Sequence, residues 1–181
     1  GDGSSDVGLE ISEKLADVLV QAGIQEPVYT ARMSGNLEEV NRKNEEKLSD
    51  TAITGTNSLD AFSEDVQRTA SYADGWDGGF ITGNQPVCLV EEEYAQRHGV
   101  HVGDTLEMPV YWFDYDKSGY SFQRRKLDGV SLQVIGSFHF SGEVDLIVPI
   151  EWMKELFVEQ GVAFTYDSFR CVMADALRLN D

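Results

Sequence analysis

Positive charge is scarce in this 181-residue chain: 14 Lys and Arg stand against 32 Asp and Glu, a formal net charge of −18. The acidic excess is spread through both halves of the sequence rather than gathered in a tail. A surface of that sign repels phosphate backbones and anionic headgroups, which excludes nucleic-acid binding and membrane attachment through a basic patch. Cysteine is scarce too. The two residues, Cys88 and Cys171, are too few for a disulfide framework. Each lies in an apolar, strand-like run, and both are expected as buried thiols rather than a bridge. No apolar run approaches the roughly 20 residues of a membrane span. The opening Gly1-Asp2-Gly3-Ser4-Ser5-Asp6 lacks signal-peptide character and reads as a flexible lead-in over residues 1–8. An opening Gly also fits a piece of a longer protein, so the missing span says little about the parent.

Catalytic grammar is equally thin. There is no G-x-S-x-G elbow and no Gly-rich phosphate loop. Neither cysteine is flanked by groups that would lower its pKa. Asp114-Tyr-Asp116-Lys-Ser118-Gly119 resembles the first half of a calcium loop. Position twelve, however, is Arg125, where the cage needs a bidentate acid. A polar hairpin turn is the better reading. His98 and His101 are separated by the helix-breaking Gly99, and His139 stands alone in a strand pattern, so no metal ligand set emerges. Carboxylates are too numerous to single out a glycosidase-like pair. No catalytic residue, metal or cofactor is expected.

What is present suits a folded domain. Hydrophobic residues make up 41%, and the length fits one domain or two small lobes. Ile11, Leu15, Val18, Leu19 and Ala22 form an apolar stripe at helical period over residues 9–22. Tyr29, Ala31 and Met33 alternate with polar residues as in a half-buried strand. The charged stretch 37–48 has few anchors. A short strand is expected at 51–54, and Leu59, Phe62, Val66 and Ala70 predict an amphipathic helix. Residues 71–85, rich in glycine, read as a long connection. Pro86–Val90 is a short apolar strand. Glu91, Glu92 and Glu93 then open a helix whose macrodipole they complement, and Gly99 closes it.

From Thr105 to Phe140 the pattern is antiparallel β. The first run is 106–115, the return run 120–127, and Asp128-Gly129 signals a second turn. A further strand at 146–150, a helix at 152–160 and a last strand at 169–174 follow. The class is α+β. The aromatic residues Tyr111, Trp112, Phe113, Tyr115, Tyr120 and Phe122 gather in the central hairpin. Alternation puts Tyr111, Phe113 and Tyr115 on one face and Trp112 on the other. They are the weak candidates for a partner or ligand surface, against a plain role in packing.

A longer pattern runs through residues 86–150: Val87-Cys88-Leu89-Val90, then Tyr94 to Val100, then Val102-Gly103-Asp104-Thr105-Leu106, then Leu132-Gln133-Val134-Ile135-Gly136-Ser137-Phe138, then Leu146 to Ile150. Its order and spacing resemble the extracytoplasmic core domain of MacB/FtsX-like ABC transporter permeases. The flanks agree in layout, including the element Gly55-Thr56. The resemblance implies two lobes: an α/β lobe from 9–86 and 137–181, and a β-rich insertion at 87–136. It further implies a non-enzymatic domain outside the cell membrane, held by the permease's transmembrane helices. Such a domain couples a cytoplasmic ATPase to export or to recognition of a partner. The charge suggests a cationic peptide or protein as that partner, and no nucleic acid. The alternatives are an unrelated extracellular binding module that uses the aromatic hairpin and, less favoured, a secreted hydrolase.

Overall fold

The computed structural model describes residues 14, 17, 18, 26–37, 50–115, 122–162, 164, 166 and 168–170. Of the helix expected over 9–22, Lys14, Asp17 and Val18 are described and helical. Val18, on the expected apolar stripe, is exposed. The lead-in 1–8, most of the charged stretch 37–48, Tyr120 and Cys171 lie outside the described residues.

The strands are β1 (Val28–Gly35), β2 (Thr51–Thr56), β3 (Ser71–Tyr72), β4 (Val87–Glu91), β5 (Thr105–Tyr115), β6 (Phe122–Phe138), β7 (Leu146–Pro149) and β8 (Ser168–Arg170). The helices are α1 (Glu64–Thr69), α2 (Glu92–His98) and α3 (Ile150–Glu159). All eight strands join one sheet in the order β2-β7-β4-β6-β5-β1-β8, with β3 beside β6. β2 also pairs antiparallel with β1, from Thr30↔Thr56 to Gly35↔Thr51. The ladders therefore form a closed circuit, β1-β2-β7-β4-β6-β5-β1, which leaves few edges to solvent or to aggregation. The circuit is mixed: β2–β7 and β4–β6 run parallel, while the other pairs are antiparallel. The class is α+β, as the sequence predicts. Ladders cross the expected boundaries at 87 and 136, through β4–β7 and β1–β5.

Strand alternation sorts the core into two clusters. Tyr29, Ala31 and Met33 of β1, Cys88 and Val90 of β4, Leu106, Met108 and Val110 of β5, and Leu132 and Val134 of β6 share one. Helix α3 covers this side with Trp152, Met153 and Phe157. Gly55 lets it come close: a Cβ there would stand 3.3 Å from the Ile150 Cα and 3.0 Å from the Met153 Cε. Val87, Leu89, Ile135, Phe138 and Ile147 face the second cluster, capped by Val66, Phe80 and Ile81. Each fully buried aliphatic or aromatic side chain contributes about 1.5–3 kcal/mol.

Two local expectations change. The single helix expected over 59–70 is two pieces, a 3₁₀ turn at Leu59–Ala61 and α1. Phe62 between them is extended (φ −111°, ψ 174°) and turns its ring edge-on to Phe140 at 6.0 Å. Tertiary packing overrides the helical period at that position. The long connection 71–85 is anchored as well: β3 pairs with β6, and a 3₁₀ turn at Gly78–Thr82 buries Phe80 and Ile81.

Candidate functional site

The sequence pattern at 87–106 folds as local rules dictate. Glu91 caps α2, and both its carboxylate oxygens accept the Glu93 N–H at 2.9 Å. A charged cap at the positive end of the helix is doubly favourable. Gly99 ends α2 in the left-handed region, with φ +65°. The Asp104 carboxylate accepts the His101 N–H at 2.8 Å, while the Gly103 and Asp104 backbone ties to Val134 of β6 through two 2.8 Å bonds. The Val-Gly-Asp element is thus the hinge that starts β5 beside β6.

The β5–β6 ladder differs from expectation in one place. Asp128-Gly129 is not a second turn, because β6 runs unbroken from Phe122 to Phe138. The register slips between Met108↔Val130 and Val110↔Leu127, so Pro109 faces both Asp128 and Gly129. Gly129, at φ +71°, supplies the conformation of a β-bulge. Pro109 has no N–H to give the ladder, so it sits where the ladder is interrupted. Its carbonyl accepts the Asn36 N–H at 3.1 Å.

Beyond the bulge, the hairpin has two unlike faces. Tyr111 pairs with Lys126 and Phe113 with Arg124, and directly paired residues share a face. The Arg124 guanidinium lies 4.0 Å above the Tyr111 ring, with the Lys126 ammonium 5.7 Å from it. Phe113 is 55% exposed. Cation–π contacts of this exposed kind are worth about 0.5–1 kcal/mol each. Trp112, on the opposite face, packs on Phe157 with centroids 4.8 Å apart and joins the core. Its buried indole N–H has no hydrogen-bond partner among the described residues. Tyr115 and Phe122 pair across the far end of the hairpin. Of the six aromatic candidates, the structure places Tyr111 and Phe113 outward and Trp112 inward. The outward face is basic as well as aromatic, opposite in sign to the rest of the molecule.

At the base of the hairpin lies an open cleft of about 660 Å³. Leu106, Met108, Pro109, Val100 and Leu37 line it with apolar atoms; His98, Asp104, Glu107 and Asp128 add the charge-bearing groups. Among the described residues, no Lys or Arg lines it. The volume falls in the range of small-molecule and side-chain sites. Its lining comes from Leu37, the end of α2, the 100–104 turn, the start of β5 and the bulge. None of these segments signals a site alone, which is why sequence reasoning missed it. The Val-Gly-Asp-Thr and Asp-Gly elements were its visible traces.

The histidines do not converge. His98 stacks on Tyr94 with centroids 4.3 Å apart. The His101 Nδ1 is 3.8 Å from the Asp104 carboxylate, and the His139 N–H donates to the Thr69 hydroxyl at 2.9 Å. Among the described residues no three His, Cys, Asp or Glu side chains gather to hold a metal ion. Cys88 is a free, buried thiol, and burial pushes its pKa far above the ordinary cysteine value. A thiol in that setting is a packing group rather than a nucleophile. No described helix is long and apolar enough to cross a membrane.

No family model matches the sequence, and no curated protein matches it. Among solved structures, the chain is similar to the extracellular domain of the noncanonical ABC-type transporter YknZ from Gram-positive bacteria. That match has 16% sequence identity and a TM-score of 0.48, over 88% of this chain and 71% of that one. It is also similar to a domain described as belonging to a permease protein from Porphyromonas gingivalis. There the identity is 15% and the TM-score 0.42, over 77% of this chain and 52% of that one.

Proposed function

We propose that this chain is the extracytoplasmic domain of an ABC transporter permease of the MacB/FtsX-like kind, a non-enzymatic module that recognises a partner outside the membrane. The observation that carries the reading is the order and spacing of the sequence elements at 86–150. These elements form β4, α2, the Val-Gly-Asp entry to β5, the second half of β6, and β7, and they lie side by side as β7-β4-β6-β5. Their glycines have matching structural duties: Gly99 caps α2, and Gly136 admits β3 against β6. In this reading the domain stands between two transmembrane helices of its parent and works with a cytoplasmic ATPase. The flanks 9–86 and 137–181 form the α/β lobe. The insertion 87–136 holds β4, α2, β5 and most of β6. A partner influences the transport cycle by binding one arrangement of domain and helices better than another.

The absence of catalysis is part of the proposal. Asp104 and Asp128, in the cleft, have side chains 47% and 81% exposed, and Glu107 beside them is exposed. A glycosidase acid is instead held in apolar surroundings that keep it protonated.

The test uses the full-length parent in its native cell. The expected result is a membrane-bound protein whose 181-residue segment is cut by protease added outside intact, outer-wall-stripped cells, and which co-purifies in mild detergent with an ABC-type ATPase. A parent recovered in the soluble fraction, or a segment protected until the cells are lysed, refutes the reading.

A further inference from the structure

We propose that the outward face of the β5–β6 hairpin is a docking surface for a lipid bilayer that carries anionic headgroups. This rests on the reading of the chain as a domain standing on a membrane, and it names the part that touches the lipid. Two independent features carry it. The first is the chemistry of the face. From Trp112↔Arg125 to Tyr115↔Phe122 the two strands pair only with each other among the described residues, so this stretch is an arm of the sheet. On its outward face Phe113 is 55% exposed, and Arg124 and Lys126 are exposed beside it. The Arg124 guanidinium is stacked on the Tyr111 ring, which holds its charge on that face without neutralising it. Lys126 also lies 3.4 Å from the Asp128 carboxylate, but the two side chains are 42% and 81% exposed. An ion pair that open is worth little and exchanges one anion for another at little cost. Aromatic rings beside Lys and Arg are the composition of a membrane–water interface, with the rings at headgroup level and the cations on anionic lipid. The net charge of −18 opposes such contact for the molecule as a whole; the register confines the opposite sign to this arm.

The second feature is direction. β1 begins where Val28 pairs with Arg170 of β8. It runs antiparallel to β5 through Ser34↔Tyr111, so β5 travels back toward the end of the sheet at which the chain enters β1 and leaves β8. At about 3.3 Å per residue, Val28 lies roughly 20 Å along the strand axis from Ser34, and Tyr115 roughly 13 Å from Tyr111 in the same sense. The arm and the two connections therefore reach toward one end, which faces the membrane if those connections lead to transmembrane helices. The cleft, at the start of β5, lies at the other end. Glu26 before β1 and Asp60 after β2 are exposed at the connection end and are repelled by anionic lipid. Contact is thus confined to the arm.

The experiment holds the 181-residue chain on vesicles through an N-terminal hexahistidine tether and a nickel-chelating lipid. The bulk lipid is phosphatidylcholine alone or with about one-third phosphatidylglycerol, which supplies the anionic surface. Phe113→Trp is the reporter, and a lipid spin-labelled at the headgroup quenches it on contact. Quenching beyond that of the chain without the reporter is expected, and more of it on the anionic vesicles. Adding Arg124→Gln/Lys126→Gln should lower the contact equilibrium on anionic vesicles by about tenfold or more, at roughly fivefold for each cation lost. The control pair Arg68→Gln/Arg97→Gln, which removes the same charge from α1 and α2, should change it by less than about twofold. Circular dichroism checks that both pairs keep the fold. No quenching beyond the background, equal quenching on the two kinds of vesicle, or equal effects of the two pairs overturns the assignment. So does a reporter that ignores both vesicles but responds to hexaglutamate, which marks a face for an acidic protein instead. The tether supplies the membrane whatever the parent protein is, so failure here condemns the hairpin surface alone and leaves the permease reading to its own test.

Discussion

Replacing Gly136 by alanine is the sharpest test of the packing described here. Gly136 lies in β6, flanked by β4 on one side and β3 on the other, paired with Leu89 and Tyr72. A Cβ on it would stand 2.1 Å from the Ser71 carbonyl oxygen and 2.8 Å from the Leu89 Cδ2. The leucine can rotate, but the carbonyl belongs to the backbone of β3 and must move by about 1 Å or more to reach ordinary contact. That movement breaks the two-residue β3–β6 ladder and strains the 2.8 Å bond from the Ala73 N–H to the Ile135 carbonyl. Overpacking of this kind costs about 1–3 kcal/mol, and the backbone clash puts Gly136→Ala at the upper end. For a chain of this size about 3 kcal/mol lowers the Tm by roughly 6–12 °C. Gly129→Ala is the internal control. Nothing lies within 4 Å of a Cβ there, and only the positive φ of +71° opposes it, so it should cost about 1 kcal/mol. Urea unfolding followed by far-UV circular dichroism reads both. If Gly136→Ala is no worse than Gly129→Ala, the close approach of β3 is not a real constraint and the account of this motif glycine fails.

The two faces of the hairpin should separate in mutagenesis: Trp112→Ala should cost about 3–5 kcal/mol through the cavity left against Phe157, while Phe113→Ser should stay within about 0.5 kcal/mol. Equal effects in denaturant titrations would contradict the inside–outside assignment. Cys88 makes stability pH-dependent. Its folded pKa is raised above the unfolded value, so its contribution is fully present below about pH 8.5. Above that pH the unfolded thiol loses its proton and the folded one does not. Stability then falls by up to about 1.4 kcal/mol per pH unit. Cys88→Ala should flatten that alkaline slope in the pH dependence of urea midpoints, and an unchanged slope would refute it. Native Cys88 should also resist Ellman's reagent until the protein unfolds, whereas prompt labelling would show an accessible thiol.

The local grammar of residues 86–104 was readable because each signal acts over a few residues: an apolar run, acids at a helix start, a glycine at its end. The bulge at Asp128-Gly129 was misread as a turn because turn and bulge draw on the same chemistry, a glycine at positive φ beside a small polar residue. Only the pairing of Met108 with Val130 and of Val110 with Leu127 tells them apart, and pairing is not a property of one segment. The split at Phe62 has a similar origin, since its contact with Phe140 lies 78 residues along the chain. Closure of the sheet was invisible for the same reason: β1 meets β5 through Ser34↔Tyr111 and Gly35↔Val110 alone. The candidate aromatics were found by composition, but their sorting into a core indole and an outward basic–aromatic face needed the register. The cleft needed five separate segments in place at once.

The pairing of β1 with β8 carries a mechanical consequence. Val28 is matched with Arg170 and Thr30 with Ser168, so the chain entering β1 and the chain leaving β8 pass through the same end of one antiparallel ladder. Pulling those two strands apart at that end loads the hydrogen bonds one after another, like a zipper, rather than all together in shear. Such a junction yields at low force. Of the six ladders of the closed circuit, four are longer than this one. The fold thus has a short seam at the end where Val28 and Arg170 pair. Opening that end would free β8, which is held by three register pairs, without touching the strands that carry the hairpin and the cleft.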